Sequence, residues 1–326
     1  MPRQEYVGVL RNRGTKVDGR ESAPEASRLD RGGVLVIDKP PGPTSHDIVA
    51  VVRRRLRGAK IGHTGTLDPF ATGVLPLVIG RATRLARYLT ASDKEYHAVI
   101  RLGRATDTHD VTGAVVSEAP PGTAMPGADT LSALLATFLG TWPQVPPSFS
   151  AKMSDGVRAY VQARRGVALQ LAPVQVTVRE IEVLSVQGPL VAVRLVSSAG
   201  FYVRAFAHDI GVRLGVGACL GALRRTRSGA FGLRGAVTLD KVHQEGFLDH
   251  LVPLETLLPD WPSVVVTGEG AARVGHGRDL EAVHCVDGLP LEAGATPFRV
   301  LDPDGRLVAL AEAAPGPVLH PSVVLV

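Results

Sequence analysis

The 326-residue sequence predicts an α+β protein built on a largely antiparallel sheet, followed by a small β-rich unit. Three observations carry that expectation. Stretches of helical and strand period are interleaved without the regular strand–helix–strand alternation of a parallel sheet. No repeat recurs at solenoid periods. Near Leu258–Pro262 the pattern changes to short valine-rich runs punctuated by Gly275, Gly277, Gly288, Gly294 and Gly305, which reads as a small barrel-like unit. The length suits about two domains, and 45% apolar with 21% charged residues suits a globular core.

In chain order, residues 1–31 are polar and aperiodic and are expected to form a flexible extension. Val34–Ile37 reads as a strand, ended by the rigid turn Asp38–Pro43. Thr44-Ser45 then supplies a helix cap, with Ile48, Val49, Val52 and Leu56 at helical spacing and Arg53, Arg54, Arg55 and Arg57 on the far side. After Gly80 comes a second helix, its stripe Ala82, Leu85, Ala86 and Leu89 opposed by Arg81, Arg84 and Arg87. Lys94–Leu102 alternates like a half-buried strand. Leu131, Leu134, Leu135 and Phe138 mark another helix. Pro143–Ala172, rich in Pro, Gly and Ser and carrying Arg158, Arg164 and Arg165, reads as an inserted basic arm. Strands resume at Val174–Val186 and Leu190–Val196, and a helix carrying Val203, Phe206, Ala207, Ile210 and Leu214 follows Gly200.

Composition excludes several classes. No run approaches the roughly 18 apolar residues of a membrane span, and charges stand where a signal peptide would be apolar, so a cytoplasmic protein is expected. Cys219 and Cys285 make neither a disulfide framework nor a metal cage. His276, His284 and Cys285 lack ligand spacing, so no metal is expected. There is no phosphate-binding G-x-x-x-x-G-K-[ST] loop, no dinucleotide fingerprint and no nucleophile elbow. From Pro262 onward 4 Lys/Arg face 8 Asp/Glu, a net of −4, which leaves +9 for the preceding residues. A basic body with an acidic tail suggests a polyanionic partner. Nothing in the pattern calls for a second copy of the chain, so a monomer is expected.

One segment concentrates turn formers around a single acid: Gly62-His63-Thr64-Gly65-Thr66-Leu67-Asp68-Pro69-Phe70-Ala71-Thr72-Gly73. Pro69 pushes Asp68 away from helical backbone. By spacing alone Asp68 either caps local amides in an Asx-turn or serves as a held carboxylate. Likewise Tyr96 is either a core aromatic or a stacking platform, and Arg204 either a solvated helix arginine or a carboxylate partner.

Further blocks accompany this segment. They are Asp38–Ser45 (D-K-P-x-G-x-T-S), Lys94–Tyr96 (K-x-Y), Arg101–Thr108 (R-L-G-x-x-T-D-T), Pro146–Lys152 (P-P-x-F-S-A-K), Gly200–Arg204 (G-x-Y-V-R) and Leu223–Gly229 (L-R-R-T-x-x-G). Together, in this order and over roughly residues 32 to 240, they resemble the TruB-type tRNA pseudouridine synthases. The resemblance implies a pseudouridine synthase fold with a central mixed, largely antiparallel sheet flanked by helices. It implies isomerisation of uridine 55 in the tRNA T-loop, with no cofactor. The catalytic body would span 32–258, with the arm at 143–172, and a PUA-like barrel 259–326. The barrel is supported by Gly275–Leu280 and Phe298–Leu310, although its acidity weakens an RNA-binding role.

On the matching positions, Asp68 resembles the nucleophile, attacking either the uracil or the sugar C1′. Tyr96 resembles the ring stacked on the everted uracil, a contact worth about 1–3 kcal/mol. Arg204 resembles the partner that orients the carboxylate. Tyr202 and Leu223 match contacts to the target nucleotide, His63 a position beside the flipped base, and Lys39 supports the loop or a phosphate. The T-loop uridine must be extruded to be reached. Arg81, Arg84, Arg87, Arg53, Arg54 and Arg158 are the expected RNA-backbone contacts. Phe70, Phe201 and Met153 depart from the commoner Leu, Thr and Lys of the pattern without removing any of these groups. The competing reading is a non-catalytic tRNA-binding or RNA-folding protein on the same scaffold.

Overall fold

The structure, a computed structural model, describes residues 32–149, 153–154, 157–158, 171–289 and 297–326. In order the strands are β1 (Gly33–Lys39), β2 (Ile61–His63), β3 (Thr72–Ile79), β4 (Lys94–Leu102), β5 (Arg104–Thr106), β6 (Val115–Glu118), β7 (Gly140–Gln144), β8 (Met153–Ser154), β9 (Val157–Arg158), β10 (Val174–Gln187), β11 (Leu190–Ser197), β12 (Ala218–Ser228), β13 (Phe231–Gly232), β14 (Val252–Pro253), β15 (Ser263–Val265), β16 (Phe298–Leu301), β17 (Leu307–Ala314) and β18 (Val318–Val324). The helices are α1 (Ser45–Arg55), α2 (Ala86–Thr90), α3 (Ala128–Ala136), α4 (Val203–Leu214), α5 (Leu239–Val242) and α6 (Gly268–Gly275).

The central sheet runs β14-β1-β3-β12-β4-β11-β10-β7, with β2 and β13 attached to β3 and β12. Every pairing is antiparallel except β3 with β12. Strand alternation divides the apolar residues between two faces. Leu35, Ile37, Leu75 and Leu77 join Ile48, Val52, Phe206 and Ile210 of α1 and α4 in the main core. Val34, Val36, Val74 and Val78 instead meet Leu85 and Leu89 and the C-terminal Leu307, Leu310 and Leu325. Each such side chain contributes about 1.5–3 kcal/mol by leaving water.

Where β3 and β12 run together, side chains must give way to backbone. A Cβ on Gly73, whose φ is +103°, would lie 2.2 Å from the Arg225 carbonyl oxygen, so this position admits glycine alone. The helix α1 is capped as the sequence predicts: the Thr44 hydroxyl accepts from the Asp47 amide while the Asp47 carboxylate accepts from the Thr44 amide.

Two expectations are modified. The arm predicted from Pro143 begins later, because Pro143 and Gln144 pair with Gln175 and Val174 on the sheet edge. Between Phe149 and Leu171 only β8 and β9 are described, and these pair with each other. Arg158 lies on β9; Arg164, Arg165 and the 1–31 extension lie outside the described residues. The expected C-terminal barrel is an open four-stranded sheet, β15-β16-β17-β18, over its own core of Val264, Val274, Val300 and Leu319. Four strands with β15 and β18 at opposite ends do not close on themselves.

Candidate active site

The loop between β2 and β3 is fastened at nearly every carbonyl. Lys39, fully buried at the end of β1, donates to Ala71 O (2.7 Å), Pro69 O (3.0 Å) and Pro40 O (3.0 Å). The Ser45 hydroxyl at the start of α1 accepts from the Leu67 amide (2.9 Å) and donates to Leu67 O. Arg225 of β12 donates through Nη2 to Gly65 O (3.1 Å) and through Nε to Val74 O (2.7 Å). With Leu67 buried beneath it, Asp68 stands on a platform that leaves it little freedom.

Asp68 itself is about a third exposed and faces Arg204, whose side chain is 6% exposed on the first turn of α4. Nε donates to Asp68 Oδ2 at 2.8 Å and Nη2 to Oδ1 at 3.1 Å, a bidentate fork. The remaining N–H groups donate to Thr108 O (2.9 Å) and Phe149 O (2.8 Å), and Asp110 Oδ2 lies 3.7 Å from Nε. Asp110 is held in turn by Thr108 Oγ1 (3.0 Å) and the Thr112 amide (2.9 Å). Arg204 is thus locked from every side, with its fork on the Asp68 carboxylate at the cleft and the Asp110 carboxylate within ion-pair range behind it.

That cleft, about 230 Å³, is lined by Asp68 with Tyr96, Tyr202, Arg204 and Leu223. Tyr96 and Arg225 are direct cross-strand partners on β4 and β12. Burial opposes the Arg225 charge, and the neighbouring Tyr96 hydroxyl favours it. Tyr202 precedes α4, where its amide donates to Gln144 Oε1 (2.8 Å) and its carbonyl accepts from Gln144 Nε2 (3.0 Å).

Two predicted residues stand apart from the cleft lining. His63 packs edge-on to His46 at 6.2 Å and accepts from the Gly65 amide; burial, then His46 and Arg225, disfavour its protonation. Lys39 lies beneath the loop with its three N–H groups bonded to carbonyls, so of its two expected roles the geometry matches loop support and leaves no donor for a phosphate or the substrate. Burial holds its pKa down to about 8, with Asp68 acting in the opposite direction.

The arginine surface is similarly sorted. Arg54 and Arg81 are exposed; Arg53 is exposed but donates to Ile61 O (3.1 Å). Arg84 donates to Val324 O of β18, and Arg87 stacks on the Tyr88 ring at 4.5 Å while donating to its hydroxyl. Sequence reading missed Arg225, Lys94 and Gln144. The first two sit inside the L-R-R-T and K-x-Y blocks, the only signal available, because a buried cation looks in sequence like a solvated one.

Comparison with known proteins agrees with this architecture. A profile described as the TruB family pseudouridylate synthase N-terminal domain matches residues 53–203, and one for the tRNA pseudouridylate synthase B C-terminal domain matches 204–259. The chain is 42% identical over 297 residues to tRNA pseudouridine synthase B of Solibacter usitatus, covering 90% of this chain and 99% of that one. It is 47% identical over 255 residues to the Symbiobacterium thermophilum protein of the same name, covering 77% and 83%. Among solved structures, that of a Cbf5-Nop10-Gar1 complex aligns with a TM-score of 0.71 at 29% identity, over 93% of this chain and 88% of that one. The structure of an H/ACA RNP bound to a substrate RNA containing 2′-deoxyuridine aligns with a TM-score of 0.69 at 28% identity, with 93% and 88% coverage.

The fold is that of a pseudouridine synthase, an isomerase that remakes a glycosidic bond. Within that class the chain belongs to the TruB family of tRNA pseudouridine synthases.

Proposed function

We propose that this enzyme converts uridine 55 in the T-loop of tRNA to pseudouridine, with Asp68 as the nucleophile on an everted base. The observation that carries the reading is the bidentate Arg204–Asp68 pair at the mouth of a cleft that also presents Tyr96 and Leu223. The chemistry breaks the C1′–N1 bond, turns the uracil and forms C1′–C5; the C5 hydrogen leaves as a proton and N1 gains one, so nothing is oxidised or reduced. A carboxylate fixed by a guanidinium and by a loop tied at its carbonyls is pre-positioned for attack on uracil or C1′. Tyr96 supplies the stacking surface for the detached base, and Tyr202 and Leu223 complete the pocket around the nucleotide.

The T-stem-loop is the expected recognition element, its phosphates meeting Arg54, Arg81 and Arg87, with the chain acting as a cytoplasmic monomer and no metal or cofactor. The catalytic body would be 32–258 and the C-terminal unit 259–326. Among the described residues no helix is long and apolar enough to cross a membrane. The test is Asp68→Asn assayed by tritium release from a C5-tritiated T-stem-loop and by mapping of the product. Turnover is expected to vanish while RNA affinity stays within a few-fold; near-normal release in the variant would overturn the assignment.

A further inference from the structure

The cleft holds more positive charge than its carboxylates neutralise. Asp68 and Asp110 are both engaged by Arg204, whereas Arg225 and Lys94 have no carboxylate within ion-pair distance among the described residues. Arg225 is 1% exposed and turns its N–H groups to the carbonyls of Gly65, Thr66 and Val74. Lys94 differs. It is 4% exposed, lines the cleft, and donates to only two acceptors, Thr90 O and Ser92 O, so among the described residues its third N–H has no partner. It stands two residues before Tyr96 on β4, and side chains two apart on a strand share a face. A buried ammonium with a spare donor beside an aromatic platform is costly to keep unless something bonded there repays it.

We propose that Lys94 is a further catalytic residue, donating its remaining hydrogen bond to a carbonyl oxygen of the everted uracil and stabilising the negative charge that ring takes on as C1′–N1 breaks. This rests on the pseudouridine synthase reading of the cleft. Its depth in the cleft favours a base carbonyl over a phosphate. A donor already fixed by Thr90 and Ser92 needs no reorganisation when the charge develops, which is the condition under which such a contact lowers a barrier most. The groups around it are Tyr96 two residues along β4, Arg225 on the neighbouring strand β12, Asp93 next in sequence, and Asp68 in the same cleft lining. Burial and then Arg225 lower the Lys94 pKa to about 8, against a smaller opposing effect of Asp93, so the ammonium persists at neutral pH and is lost just above it.

Lys94→Met and Lys94→Arg are to be compared with wild type by single-turnover conversion of a T-stem-loop, RNA affinity and thermal melting. Lys94→Met is expected to slow conversion about 100-fold with affinity within two-fold, and Lys94→Arg to recover part of the loss. The variants should also lose the part of an alkaline fall in rate near pH 8 that comes from Lys94, while the part from Lys39, whose pKa is also held near 8, is common to wild type and variants. A substrate with sulfur replacing the contacted uracil oxygen should slow the wild type and leave Lys94→Met unchanged, a coupling that a merely structural lysine would not show. Substitutions at O2 and O4 are tried separately. Weakened affinity with a lower salt slope and an intact rate would mean a phosphate contact and overturn the proposal. A lowered melting temperature with an unchanged rate, or a rate loss equally large for either thio substrate in wild type and variant, would also overturn it. Because Asp68→Asn is scored independently, failure here leaves the assignment of the nucleophile standing.

Discussion

Arg204→Lys keeps the positive charge and removes the fork, which makes it the sharpest probe of the proposed catalytic pair. In the wild-type site the guanidinium reaches both oxygens of Asp68, at 2.8 and 3.1 Å, and two carbonyls besides. A lysine ammonium is a point donor on a different stem and can replace one carboxylate bond but not two in a fixed plane. Losing one charge-assisted bond costs about 1.5–3 kcal/mol. At about 1.4 kcal/mol per tenfold in rate, single-turnover conversion should fall roughly 10- to 150-fold. The carbonyls of Thr108 and Phe149 are only partly buried, so lost stability should be near the low end, about 1 kcal/mol. Tritium release from a C5-labelled T-stem-loop reports the rate, and thermal unfolding reports the stability. A variant that turns over within two-fold of wild type would show that orientation of Asp68 by the planar fork is not part of the chemistry.

Two further outcomes test other parts of the molecule. The logarithm of tRNA affinity should fall linearly with the logarithm of salt concentration, by roughly 0.7–0.9 per phosphate contacted; Arg54→Ala should reduce that slope by about one contact, and a salt-insensitive affinity would remove the arginine surface from the interface. Lys39 and Lys94, both held near 8 in the folded chain against 10.5 ordinarily, contribute to the pH dependence of stability, and Lys39 can be tested alone. Below about 8 both states carry the proton and the burial cost is fully present. Between 8 and 10.5 the unfolded chain binds a proton that the folded one has shed, so Lys39 makes stability rise with pH. Lys39→Met should flatten that rise in urea titrations, and an unchanged slope would mean that the ammonium is not desolvated.

Much of the architecture can be read locally because local periods follow from backbone geometry. Lys94–Leu102 alternates and is a strand, Val174–Gln187 and Leu190–Ser197 are strands rich in valine, and Thr44 announces a helix. Two central strands escape that reading. Thr72–Ile79 is buried along almost its whole length, so its apolar run has no alternation to show. Ala218–Ser228 carries Arg224 and Arg225, which look like solvated charge until Arg224 is seen bonded to Asp38 (2.7 Å) and Arg225 to loop carbonyls. The C-terminal sheet was legible as strands but not in its closure, which depends on pairings between strands distant in sequence.

By itself the sequence determined the Thr44 cap, the alternating strand Lys94–Leu102, the glycine-bound acidic loop and the family resemblance, all of which depend on residues close together along the chain or on ordered motifs. Only the tertiary structure decided that Arg204 grips Asp68 across 136 residues, that Lys39 spends itself on the loop, and that Lys94 and Arg225 are buried at the cleft. The physical reason is that hydrogen-bonding partners and desolvation belong to positions in space, and the same arginine or lysine reads identically in sequence whether it faces water or a carboxylate.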